Sequence, residues 1–159
     1  MAEVKTNVMR LLEQNKVPYT AHSYPHGKEA VDGVTVAQLT GMDPATVFKT
    51  LVAAGASKKN YVFVIPVAKE LDLKKAAKAV GEKSIAMIHV SEITPLTGYV
   101  RGGCSPIGMK KRFPTVLDSS ALAQDRIAVS AGKIGAQVRL APSDLLKLTG
   151  ASTADLTAE

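Results

Sequence analysis

Residues 47–53 (VFKTLVA) and 61–67 (YVFVIPV) are two apolar, β-branched runs, and the polar stretch GASKKN separates them at 55–60. Each run is too short for a core helix and rich in residues that fit a pleated, buried surface. Together they predict a hairpin of buried strands, which obliges the rest of the chain to cover both of its faces. The remaining signals supply that cover from mixed elements. Val4, Val8, Leu11 and Leu12 recur at helical spacing, so 3–15 reads as an amphipathic helix. Further short helices are expected at 35–39, at 72–80 between an Asp72 cap and a Gly81 stop, and at 142–148 before Gly150. Asp43-Pro44 has the form of an N-cap with proline in the first helical turn. Residues 19–24 read as extended, and 85–90, 115–118, 127–130 and 137–140 as strands. Ser91 with Thr94-Pro95 suggests a helix or a turn. Strands and helices intermix without strict βαβ alternation. The expectation is therefore an α/β (α+β) fold, one domain over 1–159 built on a mixed sheet or partial barrel. Residues 151–159 read as a frayed, flexible tail.

At 159 residues the chain is long enough to bury a substantial core. No apolar run is long enough to span a bilayer, and the N-terminus lacks a signal-like apolar segment. One cysteine cannot form an internal disulfide. A cytoplasmic protein is the reading that follows. The net charge of +6 favours an acidic partner, of which nucleic acid is the commonest.

Chemistry concentrates in residues 98–111, GYVRGGCSPIGMKK, where four glycines and a Ser-Pro step sit among Arg101, Lys110 and Lys111 with no acid. Such a loop lets backbone amides approach one anion or oxyanion closely. It can equally be a plain glycine-rich turn with solvated charges. Lys49 interrupts an apolar strand, either as the solvent face of an alternating strand or as an ammonium on a pocket wall. Cys104 reads either as a thiol activated by cationic surroundings or as a small buried side chain. His22 and His26 flank Pro25, which argues against a helical metal pair, and His89 reads as structural. No metal site, Walker motif or dinucleotide fingerprint is present, and no cofactor is implied. Two basic groups are candidate nucleic-acid contacts: Lys69, Lys74, Lys75, Lys78 and Lys83 along one helix, and Lys110, Lys111 and Arg112 after the glycine loop.

Several segments taken in order resemble the bacterial YbaK family, freestanding relatives of the editing domain of prolyl-tRNA synthetases. They are Phe48-Lys49-Thr50-Leu51, Leu73-Lys74-Lys75-Ala76-Ala77, Gly98-Tyr99 through Gly108 with Lys110-Lys111, and Val129-Ser130-Ala131-Gly132-Lys133. The opening Lys5-Thr6-Asn7 and Asp43-Pro44 fit as well, so the resemblance covers nearly the whole chain. It implies a curved mixed sheet wrapped by helices and the removal of cysteine wrongly esterified to proline tRNA. It implies Lys49 and Gly103 as catalytic positions. Tyr24, Thr50, Gly102, Cys104, Ser105 and Ser130 are expected around the substrate. Lys74, Lys75, Lys78, Arg101, Lys110, Lys111 and Arg112 are expected against tRNA. The implied partners are tRNA and, beyond it, prolyl-tRNA synthetase. Asp32 and Gln137 depart from the pattern, where relatives often carry an aromatic and an aspartate respectively.

The chemistry implied needs no protein nucleophile: the substrate's own thiol attacks its carbonyl, and amides of 102–104 stabilise the developing oxyanion. Two alternatives are a deacylase for alanyl-tRNA(Pro) or a wider range of aminoacyl-tRNAs, and a non-catalytic tRNA-binding module. An intact Lys49 and glycine loop favour an enzyme.

Overall fold

Apolar residues of this chain are divided between the two faces of a central hairpin. The computed structural model describes residues 6–24, 33–101 and 103–158. Along the chain, α1 (Asn7–Gln14) leads to β1 (Thr20–Ser23), α2 (Gly33–Thr40) and one 3₁₀ turn (Pro44–Thr46). Next come β2 (Phe48–Gly55), β3 (Asn60–Pro66), α3 (Leu73–Val80), β4 (Ile85–Met87) and α4 (Val90–Thr97). The chain ends with β5 (Thr115–Asp118), β6 (Ile127–Ser130), β7 (Ala136–Leu140), α5 (Pro142–Thr149) and β8 (Ser152–Ala154).

The expected hairpin is β2–β3, in antiparallel register from Phe48↔Pro66 to Ala54↔Asn60. It is the centre of a five-stranded mixed sheet ordered β4-β2-β3-β5-β8, with β5 parallel to β3 and β8 parallel to β5. A second, antiparallel sheet is ordered β1-β7-β6. The two meet where Val47, just before β2, bridges Ala128 of β6 in parallel. The mixed sheet expected from sequence is thus present as two sheets joined at one edge.

Alternation on β2 and β3 sorts the core. Phe48, Val52, Val62 and Val64 face α1, β6 and β7, joining Val8, Leu12, Ile127, Val129, Val138 and Leu140. Ala53, Tyr61, Phe63 and Ile65 face α3 through Ala76 and Ala77. Local signals set the helix ends as expected. Thr6 Oγ1 accepts from the Met9 amide at 3.2 Å, and Asp72 Oδ1 accepts from Lys74 and Lys75 amides at 2.9 and 3.1 Å. Asp43 accepts from the Ala45 amide at 2.9 Å, and Gly81 ends α3 at φ +75. The part of the expected first helix before Thr6 lies outside the described residues. The strand expected over 85–90 stops at Met87. A full helix follows, its His89 amide bonded to Glu92 Oε2 at 2.9 Å despite Pro95 inside it.

The tail needs correction. Over 151–158 the expected frayed tail is instead packed: β8 pairs with β5, and Leu156 is fully buried. Asp118, itself only 3% exposed, accepts from the Leu156 amide at 2.8 Å through Oδ1 and from the Ser120 amide at 3.2 Å through Oδ2. Lys75 reaches from α3 to Asp155 at 3.0 Å and to the Thr157 carbonyl at 2.8 Å. Asp118→Ala strands the buried Leu156 amide. Its expected cost is about 2 kcal/mol, a melting temperature lower by roughly 4–8 °C. Asp118→Asn, which keeps an acceptor, should recover part of this in the same melt, whereas an unshifted melt for Asp118→Ala would free the tail from this anchor.

Candidate active site

Lys49 lies on the β2 face that α2 and α3 cover from either end. Val47 packs with Ala37 of α2, and Leu51 and Ala53 pack under α3. Between those helices Lys49 is half-buried, and its ammonium makes no hydrogen bond or ion pair with any described residue. Sheet register extends this face. Two residues on from the Val47↔Ala128 bridge stand Lys49 on one strand and Ser130 on the other. Ser130 pairs with Gln137 of β7, and Gln137 pairs with His22 of β1. Side chains of directly paired residues share a face, with strands about 4.8 Å apart. Ser130, Gln137 and His22 therefore form one polar row across β6, β7 and β1, and Lys49 stands on β2 two residues past the bridge that joins the two sheets, on the same face. The opposite face of the same strands is apolar, with Val129, Ala136 and Val138 in the core.

This row carries unmet hydrogen-bonding capacity. Gln137 is 6% exposed and its Oε1 has no partner among the described residues; His22 Nε2 and Arg139 Nε are likewise buried and without a described partner. Buried polar atoms are nearly always paired, so a cluster of exceptions on one face marks a place for polar ligand atoms or ordered water.

The turn between β6 and β7 gathers three more expected residues. Ser130 Oγ accepts from the Gly132 amide at 3.2 Å, and the Tyr24 amide donates to the Gly135 carbonyl at 3.0 Å. Gly103 packs on the same turn: a Cβ added there would lie 2.9 Å from both the Cα and the carbonyl carbon of Lys133. Gly103, Ser130 and Tyr24 thus converge on residues 131–135, at the Ser130 end of the row.

Other sequence expectations change. The Gly103 amide is already committed to the Val100 carbonyl at 2.9 Å, so it is no free oxyanion donor. The Lys133 backbone is by itself a reason for glycine at this position. Gly102 lies outside the described residues, as do His26 and Asp32. Cys104 points into the core, where burial pushes its thiol up to about 11, so cationic neighbours do not activate it. Ser105 is fully buried, with its hydroxyl taken by the Ile107 amide at 3.2 Å. Thr50 shares the core-facing side of β2 with Phe48 and Val52, opposite Lys49, and its buried Oγ1 has no partner among the described residues. Among the described residues, no cluster of three or more His, Cys, Asp or Glu could hold a metal.

Of the basic candidates, Lys74, Lys78, Arg101, Lys110, Lys111 and Arg112 are exposed. Lys75 is tied to Asp155 and Thr157, which removes it from the set of freely presented cations. The α3 group and the 110–112 group attach to opposite faces of the five-stranded sheet, so they do not form one continuous track. No helix among the described residues is long and apolar enough to cross a membrane. The sequence does not mark His22 as a site residue, and it shows Gln137 only as a departure from the family pattern. Their signal is the pairing across β1, β7 and β6, which no local pattern displays.

Comparison with known proteins gives this face a context. Residues 28–148 match the family described as "Aminoacyl-tRNA editing domain". Over 153 residues, 96% of this chain and 93% of the relative, the sequence is 47% identical to "Putative Cys-tRNA(Pro)/Cys-tRNA(Cys) deacylase EbsC" of Enterococcus faecalis. A solved structure described as a "putative trans-editing enzyme for prolyl tRNA synthetase" superposes with a TM-score of 0.81 at 28% identity, covering 97% of this chain and 99% of that one. A hypothetical protein, APE2540, superposes at 0.85 over 96% of this chain and 100% of its own; at 23% identity it shares the fold.

Proposed function

The chain belongs to the aminoacyl-tRNA editing family, and on that premise we propose that it hydrolyses cysteine wrongly esterified to proline tRNA, acting in trans in the cytoplasm. The observation that carries this reading is the 47% identity, over 96% of the chain, to a relative named for that reaction. The polar row and the turn that gathers Gly103, Ser130 and Tyr24 support it. They supply a half-buried cation and unpaired polar groups on one face, as a charged, polar ester requires. Prolyl-tRNA synthetase is the partner that would release the mischarged tRNA, in keeping with the trans-editing description of the structural neighbour.

The reaction we propose combines the groups on this face with the substrate-thiol chemistry that the family resemblance implies. Lys49 holds the phosphate or ribose of the terminal adenosine, or polarises the ester carbonyl. The substrate thiol gives up its proton, its sulfur bonds to the carbonyl carbon, and the bond to the ribose oxygen breaks. The released oxygen is reprotonated and the amino acid leaves as a cyclic thioester, which water opens. Within the loop, the Gly103 amide is spent on Val100 and Ser105 is fully buried, while the amide of Cys104 donates to no described carbonyl. The Cys104 amide is the remaining described candidate in this loop for steadying the oxyanion. The protein contributes orientation and exclusion of water.

The test is release of labelled amino acid from cysteinyl-tRNA(Pro) and alanyl-tRNA(Pro) by the purified protein. Rapid release of cysteine with slow release of alanine is expected. Equal rates would make the enzyme a broader deacylase, and binding without release of either would make it a tRNA-binding module.

A further inference from the structure

A cavity lies away from the polar row, between α1, the segment 106–113 and the end of α5. Its volume is about 310 Å³, the small end of the range for ligand sites, which runs roughly 300–1,000 Å³. Leu11, Ile107, Phe113 and Leu148 give it apolar walls, Lys111 and Arg112 stand among the lining residues, and no acidic side chain lines it. An apolar slot beside two exposed cations matches the chemistry of one nucleotide: a flat base on an aromatic ring and a phosphate on the cations.

The slot is built before any ligand arrives. Tyr99 Oη donates to the Ile107 carbonyl at 2.6 Å, the Ile107 amide donates to Ser105 Oγ at 3.2 Å, and the Lys110 amide donates to the Thr97 carbonyl at 2.8 Å. Gly108 turns the loop at φ +73, where an added Cβ would stand 2.7 Å from Leu11 Cδ1 on the opposite wall. A pinned loop loses little freedom on binding. The slot is also near the reaction site. Gly103 rests on the β6–β7 turn, and Pro106 of the same loop already lines the slot, a separation of at most about 11 Å along the backbone.

We propose that this slot holds one unpaired nucleotide of the tRNA 3′ end, its base against Phe113 and its phosphate on Lys111 and Arg112, while the esterified adenosine turns around the end of the three-stranded sheet to the polar row. The proposal rests on the deacylase reading for its ligand, so the experiment has two arms. In the first, an RNA hairpin with a single-stranded CCA end is titrated against the protein. Lys111→Ala with Arg112→Ala should raise Kd about tenfold at moderate salt and flatten the salt dependence by one to two released ions. Phe113→Leu keeps an apolar filling but removes the ring, and should weaken binding about tenfold; Phe113→Tyr should restore it. A hairpin without the single-stranded end should bind wild type and variants alike. In the second arm, hydrolysis of cysteinyl-adenosine, too short to reach the slot, by the wild-type protein tests the deacylase reading separately from the slot. If the variants bind the CCA hairpin like wild type, or lose affinity equally for both hairpins, the slot is not a nucleotide site. If wild type hydrolyses neither cysteinyl-adenosine nor cysteinyl-tRNA(Pro), the deacylase reading fails, and the binding arm still judges the slot.

Discussion

Lys49→Ala is expected to lower deacylation of cysteinyl-tRNA(Pro) on the order of 10²–10³-fold, the usual loss when one preorganised charge or donor leaves a developing anion. Stability should change little. Lys49 pairs with Ile65 through its backbone, which alanine retains, and its ammonium bonds to no described residue. The neighbouring apolar positions Val47, Leu51 and Ala53 keep their packing. The check is kcat/KM together with a thermal melt. Lys49→Arg separates the possible roles: a guanidinium can still hold a phosphate, so partial recovery would assign Lys49 to the adenosine, and no recovery to the carbonyl. A variant that melts like wild type and turns over like wild type would remove Lys49 from the reaction.

Much of this architecture is legible because its causes are local. The hairpin is written in two β-branched runs and their spacing. Helix α3 is written in Asp72, which caps it, and Gly81, which ends it at positive φ. Strand β8 is not legible, since Ser152, Thr153 and Ala154 have no strand pattern of their own. They are held by register with β5, by the Asp118 carboxylate 38 positions away and by Lys75 about 80 away. Helix α4 is masked by Pro95, which removes one amide from the helix and reads locally as a break. The site divides in the same way. Lys49 is visible as a charge within an apolar run. The alignment of Ser130, Gln137 and His22 beside it comes from pairings between distant strands. The fate of the Gly103 amide depends on a turn back to Val100, and the need for glycine on a turn thirty residues away.

The central claim is that the substrate, and not the protein, supplies the nucleophile. Cys104 is the only thiol in the chain, and it is buried with its ionisation pushed up, first by desolvation. It is therefore poorly placed to attack an ester, because the thiolate is the reactive form. A cysteinyl ester brings its own sulfur within reach of its own carbonyl. A seryl ester has nearly the same shape but offers a hydroxyl, a far weaker acid and nucleophile at neutral pH. The decisive measurement is the single-turnover rate of amino-acid release from cysteinyl-tRNA(Pro) and seryl-tRNA(Pro), with wild type and with Cys104→Ala. Cysteine should be released at least roughly 10²-fold faster than serine by both proteins, and Cys104→Ala should stay within about tenfold of wild type. A folded, tRNA-binding Cys104→Ala protein that has lost several orders of magnitude, as loss of a covalent nucleophile causes, or a wild type that releases serine as fast as cysteine, would contradict the claim.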